Sequence, residues 1–350
     1  MDAAPRDDRH AWEAAGLFEE APGVYRIPLP LPGDHLKAMN VYAVPDGERL
    51  VLIDAGLAFP ESEQLLAKAI RELGYELGDV TDFLVTHVHR DHYTQAVAIR
   101  RTTGARIALG EGERVALDIL RGPVDTSPDI PGLAEAGADD LVRHLADWRG
   151  DGSLPYEEPD RWLDDGALLP LATRRLRVIA TPGHTRGHVV FHDPDAKILF
   201  AGDHVLPHIT PSIGVEVPRA RPPQSPLRAY LRSLRLVRSM PDTTLLPAHG
   251  PAGASTHARV DELLDHHEHR LAECAAVLAR GASTGYQAAG LLKWTRRQRA
   301  LSELDLGNQV LAVQETVAHL EILVERGQAR RERQGHVLHY ELSPEGAGHA

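Results

Sequence analysis

The sequence predicts an α/β fold whose functional residues gather along one edge of its sheets. Three observations carry this expectation. Short apolar runs alternate with segments of helical periodicity. Four of those runs, "DFLV", "LRVIATPG", "KILFAG" and "TTLLPA", lead into His87, His184, Asp203 and His249. A chain of 350 residues with 43% hydrophobic content also has enough material for a full core and more than one domain. Strands of one sheet, or of two facing sheets, can deliver such end residues to a common edge, where rigid elements hold reactive loops.

The opening stretch "MDAAPRDDRHAWEAAG" mixes both charges and has no apolar core of signal-peptide length. Residues 22–54 read as three short strands, "GVYRIPL", "MNVYAV" and "RLVLIDAG", with a turn at Pro45-Asp46-Gly47. Leu65, Leu66, Ala69, Ile70 and Leu73 recur at helical spacing, so a helix is expected from Ser62 to Leu73, ended by Gly74. Between Gly122 and Pro170 repeated prolines predict loops around one helix near Ala136 to Trp148. Residues 206–226, also Pro-rich, read as a binding loop or lid. Gly183, Gly187 and Gly202 are expected at tight turns.

A long helix should run from Ala258 to Ala279 with Cys274 in its apolar stripe. His266, His267 and His269 on the same helix read as a polar and boundary face. The segment "GYQAAGLL", an Arg-rich link, a helix from Asn308 to Arg326 and a hairpin turning at Gln334-Gly335 then describe a small winged-helix-like unit. The expected division is a catalytic unit over 1–252 and a connecting helix with this second unit over 253–350.

Thirty-eight basic against fifty acidic residues give a net charge of −12, a poor footprint for general nucleic-acid binding, although a local basic groove remains compatible with it. Lys37, Lys68, Lys197 and Lys293 are the only lysines, so arginine supplies most of the positive charge. No run of about 18 apolar residues predicts a membrane span. The lone Cys274 allows no intrachain disulfide. These features suit a cytoplasmic protein.

The stretch "THVHRDH" concentrates His87, His89, Asp91 and His92 in one short segment. Neutral imidazole and carboxylate are standard ligands of zinc and related divalent ions. A strand end can project His87 and His89 together, while Asp91 and His92 follow after the chain turns. With His184, Asp203 and His249 the set is too large for one tetrahedral ion but suits two, with one carboxylate shared.

"THVHRDH", "TPGHTRGH", "FAGDH" and "PAHG" occur in the order and spacing of metallo-β-lactamase-fold hydrolases, a resemblance that spans roughly residues 20–252. It implies a four-layer αββα sandwich with the metals at one edge of the two sheets. It also implies that His87, His89 and His184 hold the first ion, that Asp91, His92 and His249 hold the second, and that Asp203 bridges them. The C-terminal unit resembles that of the lactamase-beta-2-like subgroup, which joins this fold to a winged-helix-like domain. Asp54 in "LIDAG" matches a family position that supports the site. His188 reads as a packing or supporting residue. His204 and His208 are read either as substrate contacts or as loop polar groups.

The implied chemistry is attack by a hydroxide held between two divalent ions, expected to be zinc with iron or manganese as alternatives. Asp91 is the expected proton handler. Zinc β-lactamases of the commonest type carry Cys where Asp203 stands, which disfavours lactam cleavage. Redox diiron relatives carry Glu where His89 stands. Three readings are therefore carried forward. The first is hydrolysis of a small-molecule ester, thioester or lactone. The second is cleavage of single-stranded RNA, with Arg219, Arg221, Arg228, Arg232, Arg235, Arg296, Arg297 and Arg299 as candidate phosphate contacts. The third and weakest is a DNA-binding regulator, because the helix that would enter the groove carries Glu315, Glu321 and Glu325. The C-terminal unit is expected to shape the substrate entrance or a homodimer interface.

Overall fold

A computed structural model describes residues 8–33, 36–122, 130–145, 154–213 and 225–344. Seven strands form the first sheet in sequence order: β1 (Phe18–Ala21), β2 (Val24–Pro30), β3 (Ala38–Asp46), β4 (Arg49–Ile53), β5 (Val80–Val85), β6 (Arg106–Gly110) and β7 (Arg161–Leu163). The second sheet has five: β8 (Leu168–Pro170), β9 (Arg175–Ala180), β10 (Val189–Asp193), β11 (Ile198–Gly202) and β12 (Thr244–Pro247), ordered β12-β11-β10-β9-β8. A separate hairpin pairs β13 (Ala329–Gln334) with β14 (Val337–Leu342).

The helices are α1 (Pro60–Glu72), α2 (Arg90–Thr103), α3 (Arg114–Arg121), α4 (Ile130–Glu135), α5 (Asp139–Leu145), α6 (Pro226–Ser239), α7 (Thr256–Ala279), α8 (Gly285–Leu291) and α9 (Leu306–Glu325). Pro60 begins α1, while Ser255 and Asp305 cap α7 and α9 by accepting from Ala258 N and Asn308 N.

Period-two alternation sorts the strand residues into layers. Val44, Val51, Ile53 and Leu84 face Val178, Phe191, Phe200 and Leu246 across the gap between the sheets. Their neighbours Ala43, Leu50, Leu52 and Phe83 turn outward against Leu66 and Ile70 of α1 and Ala96 and Val97 of α2. Val190, Leu199 and Leu245 turn the other way, onto Tyr230 and Leu234 of α6 and Val260 and Leu263 of α7. This is the αββα sandwich. Burial on both faces explains why β11 and the Phe83–Val85 end of β5 read as unbroken apolar runs.

The C-terminal elements join the same outer layer. Ala288, Ala289, Val313, Val317, Leu320, Leu323 and Tyr340 lie in one continuous apolar cluster with the second sheet's covering helices. From Val310 to Leu323, α9 buries residues on every face. Among the described residues, no helix is long and apolar enough to cross a membrane. Burial pushes the Cys274 thiol up to about 12, as a core residue requires.

Several expectations shift. The helix expected over Ala136 to Trp148 is the shorter α5, and an unexpected helix, α4, precedes it across Gly137, which takes a φ of +76°. Residues 146–153 lie outside the described residues, as do 214–224 of the Pro-rich loop with Arg219 and Arg221. The helices α2 and α6 had no counterpart in the periodicity reading. α1, α7 and α9 each begin two residues earlier than expected.

Phe200 meets Tyr42 edge to face at 5.4 Å between the sheets and is fully buried. Phe200→Ala should lower unfolding free energy by about 3–5 kcal/mol in a denaturant titration.

Candidate metal centre

β4 runs parallel to β5, and β11 runs parallel to β12. β9 and β11 are each antiparallel to β10, so they share a direction. The carboxyl ends of these strands form one edge of the sandwich, where ligand-bearing loops of α/β folds emerge. From that edge the chain supplies Asp54 after β4, His87 and His89 after β5, His184 after β9, Asp203 after β11 and His249 after β12. Asp91 and His92 stand in the first turn of α2, where the helix N-terminus favours a carboxylate.

All seven residues expected from the sequence converge. His87, His89, His184 and Asp203 form one set and Asp91, His92 and His249 another, with the candidate ligand atoms of each set within 4.8 Å of one another. His87 Nε2 and His184 Nε2 lie 2.9 and 3.0 Å from the same atom, His89 Nδ1. Tetrahedral coordination at about 2.0–2.1 Å would space ligand atoms about 3.3 Å apart, close to what is seen. One N–H cannot serve two acceptors, so a cation between the three nitrogens satisfies all of them. His92 Nε2, His249 Nε2 and Asp203 Oδ1 are buried without a hydrogen-bond partner, and all three face the second set. The donor set fits divalent metal.

The remaining ring nitrogens fix these tautomers. His249 Nδ1 donates to Ala38 O and His184 Nδ1 to Ser212 O, each at 2.9 Å. His92 Nδ1 lies 2.9 Å from Asp54 Oδ2. Thr86 Oγ1 donates to Asp54 at 3.0 Å and stands 3.1 Å from His87 Nδ1, so it accepts from that ring. Asp54 also accepts from Thr86 N at 2.8 Å while holding a φ of +58°, a strained position for a non-glycine residue. The supporting role expected of Asp54 therefore has a geometry.

His188 is buried and holds its own neighbour in place. Its Nε2 accepts from Asp203 N at 3.1 Å, and its Nδ1 donates to Thr181 Oγ1 at 2.9 Å. His204 is enclosed between the rings of His188 and Tyr230 at 6.0 and 5.2 Å, so the substrate contact considered for it is excluded. His208 is exposed on the following loop.

Some supports were missed. Asn40 donates from Nδ2 to Pro247 O and Gly250 O at 3.0 and 2.8 Å, tying the His249 turn to the first sheet. A lone amide inside the apolar run "MNVYAV" was its only signal. Glu113, fully buried, accepts from Thr185 Oγ1 beside His184. There the backbones cross so closely that a Cβ on Gly187 would lie 2.1 Å from Glu113 N.

Burial and neighbouring imidazoles lower His87, and burial brings His89 to about 3 and His184 to about 4. Burial alone would lower His92 too, but Asp54, Asp91 and Asp203 together raise it to about 10. Burial opposes ionisation of Asp91, yet His92, His249 and His89 hold its carboxyl well below the usual range. The imidazoles of the first set are thus neutral at pH 7, whereas His92 in the second holds a proton that a cation must displace, and against burial the Asp203 and Asp91 carboxylates raise His249 as well. Titrating metal-free protein with Zn²⁺ in two buffers of different ionisation enthalpy should show no proton release from the first set's imidazoles and release of at least about one proton from the second set. Affinity at the second set should therefore rise with pH.

The profile of the metallo-beta-lactamase superfamily matches residues 38–249. An atrochrysone carboxyl ACP thioesterase of Aspergillus fumigatus is 27% identical over 261 residues, 74% of this chain and 49% of that protein. The chain thus spans about half that relative's length. A probable metallo-hydrolase of Bacillus subtilis, YqjP, is 25% identical over 317 residues, 85% of this chain and 90% of that one. A metallo-beta-lactamase family protein of Thermus thermophilus, solved as a crystal structure, has a TM-score of 0.74 at 28% identity, covering 92% of this chain and 99% of its own. With the match running from β3 through the His249 turn and taking in every residue of the two converging sets, the chain belongs to the metallo-beta-lactamase superfamily.

Proposed function

We propose that the protein is a dinuclear metal-dependent hydrolase of a small-molecule acyl thioester, or of a related ester or lactone. The split surroundings of Asp203 carry this reading. Its Oδ2 lies 3.3 Å from His184 Nε2 in the first set, while Oδ1 lies 3.6 and 3.4 Å from His92 Nε2 and His249 Nε2 in the second. A carboxylate so placed can serve both ions. His87, His89 and His184 would hold the first, and Asp91, His92 and His249 the second. Zinc suits this mixture of imidazole and carboxylate, and iron or manganese accept the same ligands.

Two ions held there supply a nucleophile at neutral pH and polarise the bond under attack. The chain's own groups orient and move protons. Asp91 Oδ2 lies 3.4 Å from His249 Nε2, and its side chain keeps 15% exposure where His249 keeps 2%. It is the ionised group of its set that reaches the open side, placed to take the proton of the attacking water and return it to the leaving thiolate. His188 holds the Asp203 backbone while this occurs. The thioesterase named among the relatives supports sulfur as the leaving atom.

The nucleic-acid readings have less support. Arg228 is paired with Glu325, and Arg296 donates to His208 O. Hairpin arginines Arg331 and Arg333 are paired with Glu321 and Glu135. The helix that would enter a DNA groove, α9, is enclosed. Residues 253–350 read better as a winged-helix-like unit that acts on the substrate entrance of the 1–252 catalytic unit.

The test is a matched assay on metal-loaded protein, with an acyl thioester in one arm and end-labelled single-stranded RNA in the other. Thioester cleavage should fall about a hundredfold or more in Asp91→Ala, with RNA intact. RNA cutting that depends on Asp91, with the thioester untouched, would overturn the proposal.

A further inference from the structure

The loop that follows the bridging carboxylate, residues 205–213, is held from outside the two-sheet sandwich. Arg259, on α7, donates from Nε to Leu206 O at 2.6 Å and from Nη2 to Ile209 O at 2.9 Å. Its third nitrogen, Nη1, is tied to Glu262 at 2.6 Å, which fixes the plane of the guanidinium. Arg296 donates from Nη2 to His208 O at 2.7 Å. Two arginines of the C-terminal unit thus take three nearly successive carbonyls of a loop whose Ser212 O receives His184 Nδ1.

The segment that carries Arg296 is built to reach. Trp294 and Arg299 exchange both backbone hydrogen bonds, at 2.9 and 2.8 Å, and close a tight arm over 295–298. Within it Thr295 and Gln298 hold φ values of +62° and +54°. Two non-glycine residues in the left-handed region are costly, and such strain persists where surrounding contacts impose it. The arm is rooted by Trp294, whose Nε1 donates to Ala289 O at 2.9 Å and whose ring lies under the Arg270 guanidinium at 4.7 Å. At the far end, a Cβ on Gly250, beside His249, would lie 2.5 Å from Pro207 Cγ, so the loop also packs directly on the second ligand turn.

Val205, Leu206 and Ile213 of this loop are buried, whereas Ile209 is 41% exposed. The loop therefore leaves one large apolar side chain in solvent, bracketed by the clamped carbonyls and three residues from Ser212. We infer that Arg259 and Arg296 are positioning residues through which the C-terminal unit sets loop 205–213 as the wall of the substrate entrance, with Ile209 as its specificity-determining side chain for an apolar acyl group. The inference rests on the hydrolase reading for its substrate, but the clamp itself does not.

Two measurements separate these layers. Hydrogen exchange of the 205–213 amides, on the metal-loaded full chain, reads the clamp without any substrate. Arg296→Ala and Arg259→Lys should each speed that exchange about tenfold. Arg296→Lys should restore protection, because an ammonium can still reach one carbonyl, while Arg259→Lys cannot serve two. Unchanged exchange in both Arg296→Ala and Arg259→Lys would overturn the clamp. Kinetics on matched short-chain and long-chain acyl thioesters read the wall. Ile209→Ser, a surface change, should lower kcat/KM for the long chain about tenfold relative to the short one, mainly through KM. An unchanged ratio would overturn the role of Ile209. Should the unaltered protein hydrolyse neither thioester, the thioester reading and the role of Ile209 fall together, and the exchange result still decides the clamp.

Discussion

Two carboxylates and five imidazoles have been drawn out of water to one edge of the sandwich with their candidate ligand atoms facing each other. Most of the surrounding structure serves to hold that arrangement against its own repulsion. Asp54 accepts from both the backbone and hydroxyl of Thr86 and from His92, at a strained φ, and so fixes two ligand rings through one carboxylate. The backbone carbonyls of Ala38 and Ser212 perform the same task for His249 and His184. Each anchor comes from a different part of the chain, so the centre can form only once both sheets are in register.

Much of this was legible because the ligands sit at strand ends. Strands buried on both faces read as short apolar runs, and the polar residue that follows each run marks the sheet edge. "THVHRDH" was legible for a second reason, since so many metal-binding side chains in so few residues have few other uses. What stayed hidden was the scaffold between. α2 starts inside the motif itself, so its first turn looked like loop chemistry. α6 places Arg228, Arg232 and Arg235 on its outer side and Tyr230 and Leu234 inward, yet its arginines after a run of prolines read as a loop flank. α4 holds Pro131 and Gly132 in six residues, so its short turn of helix read as loop.

Asn40, Thr86 and Ser212 show a deeper limit. Each is an ordinary polar residue whose meaning comes from a partner across the fold. Period and composition describe a residue's neighbours in sequence, and these anchors have their partners in space. Gly187 is similar. It looked like a turn glycine, but its lack of a side chain matters because the backbone of Glu113 passes directly against it.

The layer over the second sheet has a bearing on how the chain comes to be folded during its synthesis. Val190, Leu199 and Leu245 share one apolar cluster with Val313, Val317 and Leu320 of α9, which is made long after them. The first sheet and its helices can bury their own outer face early, because α1 and α2 lie between its strands in sequence. The helices over that sheet, α6 and α7, have their own apolar faces covered only when α9 leaves the ribosome. Until then the growing chain displays an unfinished apolar surface, so this half of the enzyme is the one that depends on protection from aggregation.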